Sequence, residues 1–197
     1  MVVFGAAGRT GRLVVAGAEG RGLEVTAALR DPKRVAFGDR VRVVACDARE
    51  RDDVARALEG ADTAISVMAI PSGTGPTTEL SEATRTIVDM MTALGPKRLV
   101  ATVNTTVFHD LPVKPPYDVV AEEHRRDLAI LRDSALEWTA LAAGFLTDDG
   151  PAGSYAAALD AKAPGADIPR GDLAVAALDA PEHDDWIGHV VGLSGIS

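Results

Sequence analysis

The chain's 197 residues, 47% hydrophobic and 25% charged, suit one soluble folded unit with a continuous core. Its net charge of −9 disfavours a nucleic-acid partner, and no apolar run reaches the ~18 residues of a membrane span. A lone cysteine, Cys46, excludes an internal disulfide, and the uncharged start carries no signal-peptide pattern, so a cytoplasmic setting is expected.

In chain order, Val2–Phe4 reads as a first strand that runs straight into Gly5, Gly8 and Gly11, spaced G-x-x-G-x-x-G. Gly11–Glu19 then reads as a helix. A strand, a tight glycine turn and a helix N-terminus together form a phosphate cradle, because free N–H groups and the positive end of the helix dipole face the turn. Gly5 is expected to take positive φ, Gly8 to let a pyrophosphate approach, and Gly11 to let helix and strand pack closely. The cofactor set of the turn is therefore Gly5, Ala7, Gly8, Arg9, Thr10 and Gly11.

Leu23–Leu29 and Val41–Ala45 read as the next strands. Cys46 continues the latter run and reads as core rather than as a reactive thiol. A helix over Arg51–Leu58 carries Asp52 and Asp53 in its first turn, where the dipole favours them. Thr63–Met68 reads as a strand, 71–76 as a Pro/Gly loop, Thr78–Leu94 as a helix and Arg98–Val103 as a strand. After the Pro-rich stretch Leu111–Pro116, a helix is expected over Asp118–Ser134 and a strand over Glu137–Ala142. Gly144–Pro169, rich in Gly, Ala and Pro, gives no periodic signal. Asp172–Leu178 reads as a helix and His189–Leu193 as a last strand.

Alternating strands and helices with short connections predict an α/β fold, a Rossmann-like doubly wound parallel sheet with helices on both faces. Neither an internal repeat nor a composition break divides the chain, so a single domain over residues 1–197 is expected. Its ligands should bind beyond the carboxyl ends of the strands, where the glycine turn lies. At the end of the second strand stand Arg30, Lys33 and Arg34 around Asp31. An acidic residue there suits the free ribose hydroxyl of NAD, whereas guanidinium groups accommodate the 2′-phosphate of NADP. Three cations in an acidic chain predict NADP(H), with Arg9 as a candidate fourth and NAD(H) kept open by Asp31. A solvated charge cluster is the plainer alternative.

The runs G-A-A-G-R-T-G, L-R-D-P-K-R and C-D-A-R-E-R-D-D-V-A-R-A-L-E-G-A-D-T-A-I-S-V resemble the atypical short-chain dehydrogenase/reductases with an NAD(P)-binding, NmrA-like domain. The resemblance is nearest to the biliverdin-IXβ reductase/flavin reductase type, and extends to P-T-T-E-L-S-E-A-T-R-T-I-V and L-R-D-S-A-L-E-W-T-A-L-A-A-G-F-L-T-D. It implies that Asp47 and Ala48 lie against the adenine, and Met68, Ala69 and Ile70 along the cofactor's ribose.

The chain departs from the superfamily in its catalytic residues. The Tyr-x-x-x-Lys pair is absent, since Tyr117 is followed four residues on by Ala121. Asn104 and Thr105 stand where the superfamily serine is expected, and Ala142-Ala143-Gly144 replaces Arg-Pro-Gly. Hydride transfer to a flat conjugated acceptor is mainly a matter of positioning. Asn104, Thr105 and His124 are the candidate catalytic residues, His124 as an acid matched to a histidine of the flavin-reductase type. A solvated helix residue is the plainer reading of that histidine. His109 and Asp110 are candidates for the substrate mouth, and Phe145 and Tyr155 for an apolar wall.

The four histidines lack metal-ligand spacing, so no metal is expected, and no G-x-S-x-G elbow suggests a hydrolase. The expected activity is NADPH-dependent reduction of a small planar acceptor, flavin- or tetrapyrrole-like or another carbonyl or enone, by a monomer or homodimer. The alternative is a non-catalytic NADP(H)-binding redox sensor of the NmrA-like kind. An epimerase acting on a nucleotide sugar is weakened by the missing tyrosine and the short C-terminal part.

Overall fold

In the computed structural model, which describes residues 1–150 and 153–196, the chain forms one eight-stranded sheet and one two-stranded sheet. The strands are β1 Val2–Phe4, β2 Val25–Leu29, β3 Val41–Ala45, β4 Thr63–Ser66, β5 Arg98–Asn104, β6 Glu137–Ala143, β7 Phe145–Thr147, β8 Tyr155–Leu159, β9 Asp167–Pro169 and β10 His189–Gly195. The helices are α1 Arg9–Gly20, α2 Arg51–Leu58, α3 Glu79–Leu94, α4 Asp118–Arg132 and α5 Arg170–Asp179. The large sheet runs β3-β2-β1-β4-β5-β6-β10-β8, every pair parallel except β10 with β8. β7 and β9 pair in parallel as the small sheet.

Two apolar layers sandwich the large sheet. Val2, Phe4, Ala64, Leu99, Ala101, Ala140 and Ala142 pack with Val54, Ile87, Met91 and Leu131 of α2, α3 and α4. Val3, Ile65, Val100 and Leu141 pack with Val14, Val15, Ala18, Leu173 and Ala177 of α1 and α5. Successive strand residues alternate between the two layers, as the pleat requires, and both faces are dry. The sequence reading of a doubly wound sheet with helices on both faces holds.

The boundaries differ in ways that matter. α1 starts at Arg9 rather than Gly11, so Arg9 and Thr10 belong to its first turn. β2 begins at Val25 because Leu23 and Glu24 stay exposed, and β4 stops at Ser66, so Val67 and Met68 leave the sheet. The stretch without a periodic signal contains β7, β8 and β9.

Strand order reverses between β1 and β4: β2 and β3 build outward on one side of β1, and the chain then returns to lay β4 on its other side. At such a switch point the connections after the two strands diverge and leave a crevice at their carboxyl ends.

Candidate dinucleotide site

The crevice is a cleft of about 630 Å³, within the range of small-molecule sites. One wall is the glycine turn. Gly5 has φ +80°, which only glycine adopts without strain, and its carbonyl accepts a hydrogen bond from Gly8 N–H at 2.9 Å. A Cβ on Gly11 would lie 2.2 Å from Gly5 O, so glycine there lets α1 seat directly on the turn. Gly8 is the N-cap of α1 and supplies no side-chain cap, while its carbonyl accepts from Arg12 N–H at 3.0 Å. The N–H groups of Arg9, Thr10 and Gly11 have no intrahelical acceptor by the geometry of a first turn. A cradle bare of side chains with spare donors at a helix N-terminus fits a pyrophosphate.

Gly5, Ala7, Gly8, Arg9 and Thr10 all line the cleft. Gly11 sits behind them, packed under the turn, as its expected role requires. Arg30, Arg34, Asp47, Ala48, Met68 and Ala69 also line it, as do Asn104 and His124. The expected cofactor residues of four separate connections therefore share one cavity with two of the three catalytic candidates. Thr105 does not line it; it opens a 3-10 helix, Thr105–Phe108, that turns the chain away from the cleft. Asn104 caps that helix, its Oδ1 accepting from the N–H and hydroxyl of Thr106.

At the β2 end, Asp31 is committed to its own backbone: Oδ1 accepts from Lys33 N–H at 3.0 Å and caps a short 3-10 helix, Pro32–Arg34. Arg30 and Arg34 line the cleft beside it and Lys33 does not. Arg9 takes another direction from the expected cation cluster. Its guanidinium meets Asp148 at 2.7 Å, and Asp148 also takes Arg170 Nε at 2.6 Å. These two arginines, Arg170 foremost, hold the Asp148 carboxyl below the usual carboxylate range.

The cleft is also lined by residues to which the sequence reading gave no cofactor role, Arg49, Thr102, Gly144 and Arg170 among them. Arg49 bonds Asp47 through Nη2 at 2.8 Å and through Nε at 3.1 Å, which holds the Asp47 carboxyl down at about 2. Thr102 and Gly144 contribute from β5 and the end of β6, and Arg170 from the first residue of α5. No motif marks any of them; the only signals the sequence offers are the arginines at 49 and 51 and Arg170 before an apolar helix.

His124 is not a solvated helix residue. It is 5% exposed on the inner side of α4, so the plainer reading of E-E-H-R-R fails. Phe145 and Tyr155 do not form one wall. Phe145 pairs edge-to-face with Tyr117, ring centres 6.2 Å apart, whereas the Tyr155 hydroxyl donates to Asp179 at 3.0 Å. His109 and Asp110 lie outside the cleft lining. Among the described residues no group of three His, Cys, Asp or Glu side chains could hold a metal ion, and no helix is long and apolar enough to cross a membrane.

Residues 5–184 match the family described as NAD(P)H-binding, and the chain belongs to that family. The chain is thus a nucleotide-cofactor-binding domain, and the cleft is the candidate for its cofactor site. Solved structures share the whole fold at low identity. An oxidoreductase from Lactococcus lactis is 19% identical over 100% of this chain and 92% of its own, with a TM-score of 0.85. A short-chain dehydrogenase/reductase from Veillonella parvula, solved in complex with NADP, is 17% identical over 98% and 93%, with a TM-score of 0.82. An anaerobillin reductase from Escherichia coli is 21% identical over 98% and 95%, with a TM-score of 0.84.

Proposed function

We propose that this chain is a cytoplasmic NADPH-dependent reductase of a small planar conjugated acceptor, flavin- or tetrapyrrole-like, or of a related enone. The observation that carries the reading is the single cleft in which the bare glycine turn, Arg30 and Arg34, and the buried His124 all meet. Spare N–H groups of α1 bind the pyrophosphate, and Arg30 with Arg34 receives the 2′-phosphate in bidentate fashion. Asp47 and Ala48 border the adenine, and Met68 and Ala69 the ribose. Bound there, NADPH supplies the hydride. Asn104, its carbonyl engaged with Thr106, has an amide N–H₂ left to orient the reacting groups, and His124 supplies the proton. The reductase among the neighbours of the same fold and the NADP held by another support the reading.

The absent Tyr–Lys pair fits a second reading as well, a non-catalytic NADP(H) sensor. Ala121, where the superfamily lysine is expected, is fully buried against the core, so no cationic side chain takes that place. NADPH oxidation with FMN or biliverdin as acceptor, with NADH run in parallel, separates the two. The reductase turns over at least one acceptor and prefers NADPH. Binding of NADPH without turnover of either favours the sensor.

A further inference from the structure

Two buried polar atoms on α4 lack a hydrogen-bond partner, Nδ1 of His124 and Oδ1 of Asp127. Orphaned groups of this kind are rare in folded proteins and call for a reason. The two side chains are 7% and 5% exposed and stand one helical turn apart, with His124 Nδ1 3.6 Å from Asp127 Oδ2. That separation lies just outside a hydrogen bond, and hydrogen bonds of catalytic groups are often long until ligands bind.

The ring of His124 lines the cleft while its Nδ1 is sealed, so Nε2 is the nitrogen it offers to a ligand. The backbone beneath is anchored. Glu123, fully buried, accepts from the N–H groups of Leu80 and Ser81 at 2.9 and 3.0 Å, from the Ser81 hydroxyl and from Arg126. This clamps α4 to the N-terminus of α3 and fixes where His124 points.

We propose that Asp127 is a positioning residue: it accepts a hydrogen bond from His124 Nδ1–H and leaves Nε2 facing the cleft as the proton-transfer atom. The inference rests on the reductase reading for its reaction. Two-electron reduction of a conjugated acceptor takes one hydride and one proton. The hydride comes from the reduced dinucleotide, which ends oxidised. The proton leaves Nε2 of the imidazolium, which becomes the neutral Nδ1–H tautomer and is reprotonated by solvent. Asp127 takes no proton in the step; its role is to orient the ring.

Long-range ¹H–¹⁵N spectra of histidine-labelled protein read the tautomer directly, with His124→Gln assigning the signal. Wild type should show the Nδ1–H form. Asp127→Asn, whose amide oxygen still accepts, should keep that tautomer yet lose about tenfold or more in kcat. Asp127→Leu should switch to Nε2–H and lose more, with NADPH Kd unchanged in both; Asp127→Asn carries the test if the leucine variant fails to fold. An Nε2–H tautomer in wild type, or an unchanged kcat in both variants, overturns the proposal. If wild type reduces no acceptor, the reductase reading falls. The tautomer then decides the pair alone: Nδ1–H lost in Asp127→Leu upholds it, and Nε2–H in wild type overturns it.

Discussion

Gly8 has φ −69° and ψ 167°, ordinary extended values that any residue adopts. A side chain there strains nothing in the backbone, and its Cβ would meet only Gly5 O at 3.1 Å. The rest of a valine would stand in the mouth of the cradle. Gly8→Val should therefore leave the circular dichroism spectrum intact while weakening NADPH and NADH alike by about a hundredfold or more, the scale of losing several charge-assisted hydrogen bonds. Loss of fold, or loss of one cofactor only, would contradict that role. Cys46 makes the opposite point, since it lines the cleft but is buried with its thiol pKa raised. Burial first, then the carboxylates of Asp53 and Asp47, pushes its thiol up to about 12 from 9.0. At pH 8 iodoacetamide should leave Cys46 unmodified in the native protein and alkylate it in denaturant. The sign for stability follows. The folded value is raised, so this contribution is intact below pH 9 and is lost as pH climbs towards 12. Among single residues, Arg30 and Arg34 were singled out by their place after a strand and Asp47 by the family resemblance, and all three line the cleft. Asp148 was not singled out, because its meaning comes from arginines 139 and 22 positions away.

Elements with a strong period were legible to within a few residues: α2 and β3 match the expected bounds, and α3 differs by one residue at its start. The unread stretch fails for a physical reason. β7 and β9 have three residues each, too short for any alternation, and β8 is Tyr-Ala-Ala-Ala-Leu, poor in the branched and aromatic residues that strands favour. Pairing with β10 holds β8 in place, and that is tertiary information. The α3–α4 clamp is equally invisible, since Glu123 caps a helix 43 residues upstream. A buried carboxylate with four donors is costly to remove. Glu123→Ala should lower the unfolding free energy by about 3 kcal/mol in urea titration, with Glu123→Gln in between. A change within ~0.5 kcal/mol, as for an ordinary surface site, would contradict the clamp.

At the scale of the molecule, the sheet does two things for function: parallel pairing sets the ends of β1, β2, β3, β4 and β5 on one edge, and the reversal of order opens the cleft there. There an acidic chain, net −9, sets Arg30 and Arg34 beside a bare helix N-terminus. This much of the site was readable from glycine spacing and strand ends. The pairing of His124 with Asp127 and the Arg9–Asp148–Arg170 bridge were not, because side-chain direction is decided by packing.

In the proposed reading, this edge selects NADPH through Arg30. That selection is tested most directly by titrating wild type and Arg30→Asp with NADPH and NADH, following nicotinamide fluorescence. Wild type should bind NADPH more tightly than NADH. Arg30→Asp should lose about tenfold to a hundredfold for NADPH, the worth of a charge-assisted contact, with NADH changed by less than about threefold. Equal losses for both cofactors, or a wild type that does not prefer NADPH, would contradict it.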